Sequence, residues 1–338
     1  MSRLLEFSNK GIYCPEADIY IDPEKAVDRA VITHAHSDHA RYGHKHYLAH
    51  KISVPLIKHR LSRKISIQGL EYGEVITHNG VKISLHPAGH IPGSAQVRLE
   101  YNGEIAVVSG DYKLEDDGLT TPFKAVKCNT FVTESTFAHP IYKWKPQAEI
   151  FEEINKWWKQ NKETGITSLL FGYSLGKAQR ILHNVDRSIG NIFAHDTITA
   201  INKILNESGF NLPDVENPEV NIEALKGSLI IAPSSIRKTK IMQSLGEYST
   251  AFASGWMATN RGFQIRGLDR GFALSDHADW DGLCEAIKLT GAQTIYVNHG
   301  FSKAFVIWLR RNGYNAHEAY TKPPNKNQLE FDFKRDNG

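Results

Sequence analysis

The sequence predicts an α/β chain of two lobes, and three observations carry that prediction. Roughly the first 140 residues read as short strands broken by turns, apolar residues recur at three- and four-residue intervals after Pro146, and strand and helix alternate from residue 168. A run of short strands implies a sheet layer of its own. Alternating strand and helix implies a second, parallel sheet.

Candidate strands cover residues 30–34, 81–86, 95–101, 104–109 and 128–133. Asn102-Gly103 separates the third from the fourth, and both residue types tolerate the positive φ of a two-residue hairpin turn. Ile150, Phe151, Ile154, Trp157 and Trp158 then fall on one helical face just behind a proline, whose fixed φ suits a helix start. Residues 168–173 and 228–233 read as strands, and 176–189 and 197–208 as helices. From about residue 262 the pattern returns to strand, followed by helix 280–290, strand 294–298 and helix 302–312. The expected boundaries are therefore 1–144 for the first part of one domain, 145–261 for an insert, and 262–338 for completion of the first domain. The last dozen residues, rich in Lys, Asn and Asp, read as an end that frays.

Charge is nearly balanced, 40 basic against 37 acidic residues, so any nucleic-acid contact must come from local clusters. Lys58, Arg60, Arg63 and Lys64 form one such cluster, and Arg237, Lys238 and Lys240 another; solvated faces are the alternative for both. Cys14, Cys128 and Cys284 are odd in number and outside any CxxC pattern, which argues against a disulfide framework and for a reducing compartment. No stretch approaches the ~20 apolar residues of a membrane span, and Met1–Phe7 lacks an export signal. A cytoplasmic, soluble protein is expected.

The densest chemistry lies in His34-Ala35-His36-Ser37-Asp38-His39, directly behind the apolar run Ala30-Val31-Ile32-Thr33. Imidazole and carboxylate are the ligands that zinc and its first-row neighbours prefer. A strand ending in a tight loop can aim His34 and His36 at one ion and Asp38 and His39 at a second. Two more strand ends add to this: Pro87–Ser94 puts His90 in a glycine-flanked loop, and Val107-Val108-Ser109-Gly110 leads into Asp111.

These residues resemble the metallo-β-lactamase superfamily. The resemblance implies an αββα sandwich in which His34, His36 and His90 bind one ion, Asp38, His39 and His299 serve the other, and Asp111 bridges the two. Asp22 is similar to the upstream aspartate that steadies the histidine loop, although before Pro23 it also suits a simple turn. Thr133-Glu134-Ser135-Thr136, Ser275-Asp276-His277-Ala278-Asp279 and Val297-Asn298-His299-Gly300 resemble the three motifs of the β-CASP nuclease branch. That branch implies an inserted α/β lobe, with Glu134 orienting His277 and His277 meeting the scissile phosphate or protonating the leaving oxygen. Asp38, Asp111, Glu134 and His277 are thus the expected catalytic group.

Within the branch, Glu247–Met257 and Asp269–Trp280 look most like the bacterial ligase-associated DNA exonucleases. This implies a DNA-end substrate, a place in repair, and a ligase and a helicase as partners; a pocket for a terminal phosphate would in turn imply digestion from 5′ to 3′. Gly172-Tyr173-Ser174-Leu175-Gly176-Lys177 resembles the phosphate-gripping segment of Artemis-type nucleases, so Ser174, Gly176 and Lys177 are expected on a terminal phosphate; an ordinary strand-to-helix turn is the alternative. Trp256 and Trp280 are candidates for stacking a base, with core or lobe contacts as the alternative and the commoner role of tryptophan. His299 is more familiar in RNA-processing members, which makes a ribonuclease the competing reading. Two divalent ions, Zn²⁺ or Mn²⁺, suit this nitrogen and oxygen ligand set.

Overall fold

The computed structural model describes residues 4–219, 222–238, 242, 245–259 and 267–319. Six short strands come first. β1 (Glu6–Ser8), β2 (Gly11–Cys14) and β3 (Ile19–Ile21) pair antiparallel, and β4 (Arg29–Val31), β5 (His46–His50) and β6 (Ser66–Leu70) add on in parallel, giving a sheet in sequence order. Helix α1 (Ser53–Arg60) forms the crossover between β5 and β6. Next, β7 (Val75–His78), β8 (Val81–Pro87), β9 (Ala95–Tyr101) and β10 (Glu104–Val108) form an antiparallel meander, and β11 (Thr130–Glu134) lies parallel to β10. The β9–β10 turn is Asn102-Gly103, with φ of 49° and 81°.

The middle of the chain builds a sheet of its own. After α2 (Gln147–Glu163) come β12 (Thr167–Phe171), α3 (Lys177–Asn184), β13 (Ile192–Ala194), α4 (Asp196–Glu207), β14 (Leu229–Ala232), β15 (Tyr248–Ala253) and β16 (Arg270–Phe272). All five strands are parallel, in the order β13-β14-β12-β15-β16. Burial on both faces explains why Leu169–Phe171 of β12 and the whole of β14 read as apolar runs. The stripe Ile150, Phe151, Ile154, Trp157 and Trp158 is the buried face of α2, packed with Leu170, Ile231 and Phe272.

The chain then returns to the meander. α5 (Trp280–Thr290) starts at Asp279, whose carboxylate accepts the Gly282 N–H, and ends at Gly291 with φ 64°. β17 (Thr294–Asn298), α6 (Ser302–Arg311) and β18 (Asn315–Glu318) follow, and the completed seven-stranded sheet runs β18-β17-β11-β10-β9-β8-β7. Ile12, Ile21 and Leu48 of the first sheet meet Leu85, Val97 and Leu99 of the second in one core. Leu283, Ile287, Phe305 and Leu309 of α5 and α6 cover Val107, Phe131 and Ile295 in another.

Two compact units result: the described residues up to Tyr142 together with those from His277 onward, and Lys143–Asp276. The second unit therefore extends past residue 261. Thr250 donates its N–H and hydroxyl to Asp269 at 2.7 and 2.9 Å, which brings β16 beside β15 in the five-stranded sheet. No helix among the described residues is long and apolar enough to cross a membrane. Lys240 and the last dozen residues lie outside the described residues.

At the end of β5, His50 is 1% exposed and its ring stacks on Tyr72 at 3.6 Å. Burial pushes its pKa down to about 4. The folded ring stays neutral while the unfolded chain takes up a proton near pH 6.5, so folding loses on the order of 2–3 kcal/mol as pH falls through this window. Stability should therefore rise with pH between about 4 and 6.5, and His50→Phe should flatten that limb. Urea midpoints for parent and variant across this range test the assignment, and equal slopes would refute it.

Candidate metal centre

The histidine run follows β4, where the backbone leaves the sheet and its groups need new partners. Asp22 supplies them. Its carboxylate accepts the Thr33 N–H at 2.8 Å, the Thr33 hydroxyl at 2.6 Å and the His39 Nδ1–H at 2.7 Å. Asp22 also has φ 43°, so the turn and the steadying role belong to one residue. On the other side of the loop, Arg60 donates to the carbonyl of Ala35, between His34 and His36.

Three further strand ends bring the remaining groups. His90 sits in a turn whose His90 and Ile91 N–H groups are accepted by Ser94 Oγ at 3.0 and 3.2 Å. Gly89, with φ 73°, passes so close to Lys113 that a Cβ would lie 2.3 Å from its carbonyl oxygen. Asp111 follows Gly110, and His299 follows β17 with φ 59°. Only His36, Asp38 and His299 of the expected ligands are not fully buried.

The donor atoms converge. His34 Nε2 and His90 Nε2 each lie 3.1 Å from His36 Nδ1, and Asp111 Oδ2 is 3.6 Å from His34 Nε2 and 3.8 Å from His90 Nε2. Ligands held tetrahedrally at zinc distances are separated by about 3.3 Å, so these four atoms form the cage that such an ion needs. The same Asp111 oxygen is 3.4 Å from His39 Nε2, which is 3.7 Å from Asp38 Oδ2. The His299 ring lies 5.7 Å from that of His39. One carboxylate oxygen thus faces both clusters.

Electrostatics fit a resident cation. Burial, aided by the neighbouring histidines and opposed by Asp111, holds His34 well below the ordinary imidazole pKa, so its ring is neutral and keeps a lone pair. Burial also disfavours a charge on His39, yet Asp111, Asp38 and Asp22 together raise it well above the ordinary value. Asp111 is pulled well below the carboxylate range: His39, His277 and His34 outweigh the burial that would raise it. In the protein alone, a proton on His39 supplies the positive charge that these carboxylates demand.

Beside the cage, Glu134 is 3% exposed and accepts the Tyr112 N–H at 2.8 Å. Its two oxygens lie 3.1 and 2.9 Å from His277 Nδ1. That contact keeps the Nδ1 proton and leaves Nε2 as the nitrogen that can present or take a proton. Donor atoms of Asp111, Glu134 and His277 fall within 4.8 Å of one another. Thr33, Arg60 and the Tyr112 backbone are the supporting groups that motif reading did not single out for this site; the position of Thr33 immediately before the histidine run was the available signal.

The residues expected on a terminal phosphate have partners within the second unit. Lys177 is 2% exposed; its Nζ donates to Leu274 O at 2.7 Å and lies 2.8 Å from Asp276 Oδ1. Arg180 reaches the same oxygen at 3.2 Å. A carboxylate buried this deeply requires cations, and Gly172, without a side chain, leaves room for the lysine stem. The Gly176 N–H is given to Gln179 Oε1 at 2.7 Å, and Ser174 Oγ pairs with Thr197 Oγ1 at 2.9 Å. Trp280 has the core role: it packs on Trp308 at 4.7 Å within the core over β17. Trp256 is half-buried against the cluster containing Phe252 and Met257. Lys177→Ala should therefore cost about 3 kcal/mol of stability, because it removes one cation from a buried carboxylate. A urea midpoint equal to that of the parent would contradict this.

No family model matches the chain. A probable DNA ligase of Opitutus terrae is 29% identical over 92% of the chain, which spans 30% of that protein's length. A probable RNase, MJ4, of Methanocaldococcus jannaschii is 24% identical over 86% of each protein. Subunit 3 of the cleavage and polyadenylation specificity factor of Dictyostelium discoideum is 28% identical over 36% of the chain and 16% of its own length. Among solved structures, a protein of unknown function from Enterococcus faecalis has a similar fold, with a TM-score of 0.59, 14% identity and coverage of 85% of this chain and 78% of its own. The likeness to these relatives, with the histidine cage, the shared aspartate and the Glu134–His277 pair, is consistent with the β-CASP branch of the metallo-β-lactamase superfamily.

Proposed function

We propose that this protein is a metal-dependent DNA exonuclease, its first unit an αββα metallo-β-lactamase sandwich and its second the β-CASP lobe. The observation that carries the reading is the single Asp111 oxygen standing 3.4–3.8 Å from nitrogens of His34, His90 and His39. His34, His36, His90 and Asp111 would hold one divalent ion, and Asp38, His39, His299 and Asp111 the other. Nitrogen and oxygen donors at these separations suit Zn²⁺, with Mn²⁺ second. When bound, the pair supplies Lewis acidity toward a phosphate oxygen and lowers the pKa of a nearby water.

The chain's own groups do the rest. Glu134 fixes the His277 ring through Nδ1, so a proton on Nε2 is aimed at the leaving oxygen and need not be searched for. Tyr112 N–H holds Glu134 in turn. Asp22, Thr33 and Arg60 keep the histidine loop from relaxing away from Asp111.

DNA is favoured by the near full-length match to a protein named a probable DNA ligase, of which this region is 30%. A ligase acting on the same ends is the partner this suggests; a helicase rests on family resemblance alone. The ribonuclease alternative has an observation of its own, the RNase MJ4 match along 86% of both proteins. The 5′ to 3′ direction was expected from a phosphate grip at Lys177, which is turned inward, so an end-label assay must read direction directly.

Purified protein should digest end-labelled DNA faster than RNA of the same sequence; the reverse order would make it a ribonuclease. Asp111→Ala should abolish hydrolysis and lower bound metal, measured by elemental analysis, and full activity at normal metal loading would sink the two-ion reading. His277→Ala should keep its metal and lose on the order of 10²-fold or more in turnover. Loss of metal would instead make His277 a ligand.

A further inference from the structure

Of the expected metal ligands, His299 is the one whose backbone is left-handed, with φ 59°. A residue with a Cβ keeps that conformation only where its surroundings over-determine it. The ring supplies no such hold, since it is exposed and has no hydrogen bond among the described residues. His39, by contrast, has the Asp22 carboxylate on its Nδ1 at 2.7 Å. Metal-binding imidazoles are ordinarily oriented by such a partner on the ring, so whatever aims His299 must act through its main chain.

The main chain is held by Ser135, which is fully buried immediately after β11. The ladder between β11 and β17 ends at the pair Glu134–Asn298, and beyond it the backbone groups need other partners. Ser135 Oγ donates to the His299 carbonyl and lies 3.2 Å from that of Asn298. The Ser135 carbonyl accepts the Phe301 N–H at 2.9 Å, and Asn298 Oδ1 accepts the His299 N–H at 3.1 Å. Gly300 completes the fit: with φ 56°, it lies where a Cβ would collide with the Ser135 carbonyl oxygen.

One hydroxyl therefore joins two motifs. Ser135 adjoins Glu134, which holds His277 Nδ1, and it reaches the carbonyl of His299, whose ring lies 5.7 Å from that of His39. We propose that Ser135 is the positioning residue of the second metal site: its hydroxyl fixes the left-handed turn at His299 and so aims the imidazole at the ion shared with Asp38, His39 and Asp111. The proposal rests on the two-ion reading and adds to it what sets the affinity of one ion. The cage of His34, His36 and His90 lies at other strand ends, so the first ion should not feel the loss of this hydroxyl.

The full chain, loaded with Zn²⁺ and dialysed against zinc buffers of graded free concentration, tests this, with bound zinc per chain read by elemental analysis. Ser135→Ala should release one ion at about tenfold higher free zinc than the parent and keep the other unchanged. Asn298→Ala, which takes the acceptor from the His299 N–H in the same turn, should shift the same ion in the same direction. His299→Ala should weaken that ion more, and Ser135→Ala added to it should cost nothing further, because the hydroxyl then has no imidazole to aim. If Ser135→Ala holds both ions as the parent does, weakens both alike, or adds its loss to that of His299→Ala, the proposal is overturned while the two-ion reading stands. Where that variant does not fold, an unshifted Asn298→Ala has the same meaning. If the parent holds a single ion, or His299→Ala keeps two at parental affinity, the two-ion reading falls and the proposal with it.

Discussion

A carboxylate leaves water only where positive charge or several donors meet it. That constraint organises both units. Asp111, Glu134 and Asp276 are each at least nine-tenths buried, and each determines what gathers around it. Asp111 draws His34, His39 and His90 into a cage whose charge is balanced by a proton in the protein alone. Glu134, met by one backbone N–H and one imidazole, spends its acceptor capacity on holding His277. Asp276 takes Lys177 and Arg180 out of solvent.

Whether such a group is legible in sequence depends on how far its partners are in the chain. His34, His36, Asp38 and His39 are close enough that metal-ligand chemistry shows in the residue types alone, and His90 and Asp111 each end an apolar strand. Their convergence at 3.1–3.8 Å is where sequence reading and geometry meet. Lys177 and Asp276 are far apart in sequence, and a lysine beside glycine looks the same whether it faces a phosphate or a buried acid. Trp280 has a related ambiguity, and its core reading holds: its motif neighbour Asp279 caps the helix, while its own ring follows the helical period into the core.

The fold divides in the same way. Apolar runs such as Leu169–Phe171 and Leu229–Ala232, the α2 stripe and the Asn-Gly hairpin were all readable. β1 and β3 have three residues each, too few for alternation to register, and β6 and β7 together bury only Leu70. The far edge of the second unit was missed because Arg270–Phe272 is recruited by the Thr250–Asp269 contact and carries no strong strand signal of its own.

What makes the centre a single site is a contact between the two sheets of the first unit. Ala95 at the start of β9 gives its N–H to Thr33 O at 2.8 Å, so the histidine loop is tied to the strand next to β10. Gly110, with φ 58°, lies where a Cβ would meet Thr33 at 2.7 Å. Thr33 in turn is held by Asp22, which also holds His39. The separation between His39 and Asp111 is therefore fixed by backbone and one hydroxyl, not by the flexible ends of the ligands themselves. A site assembled this way has the spacing of His39 and Asp111 set by the fold itself, and these residues would hold a cation at that spacing.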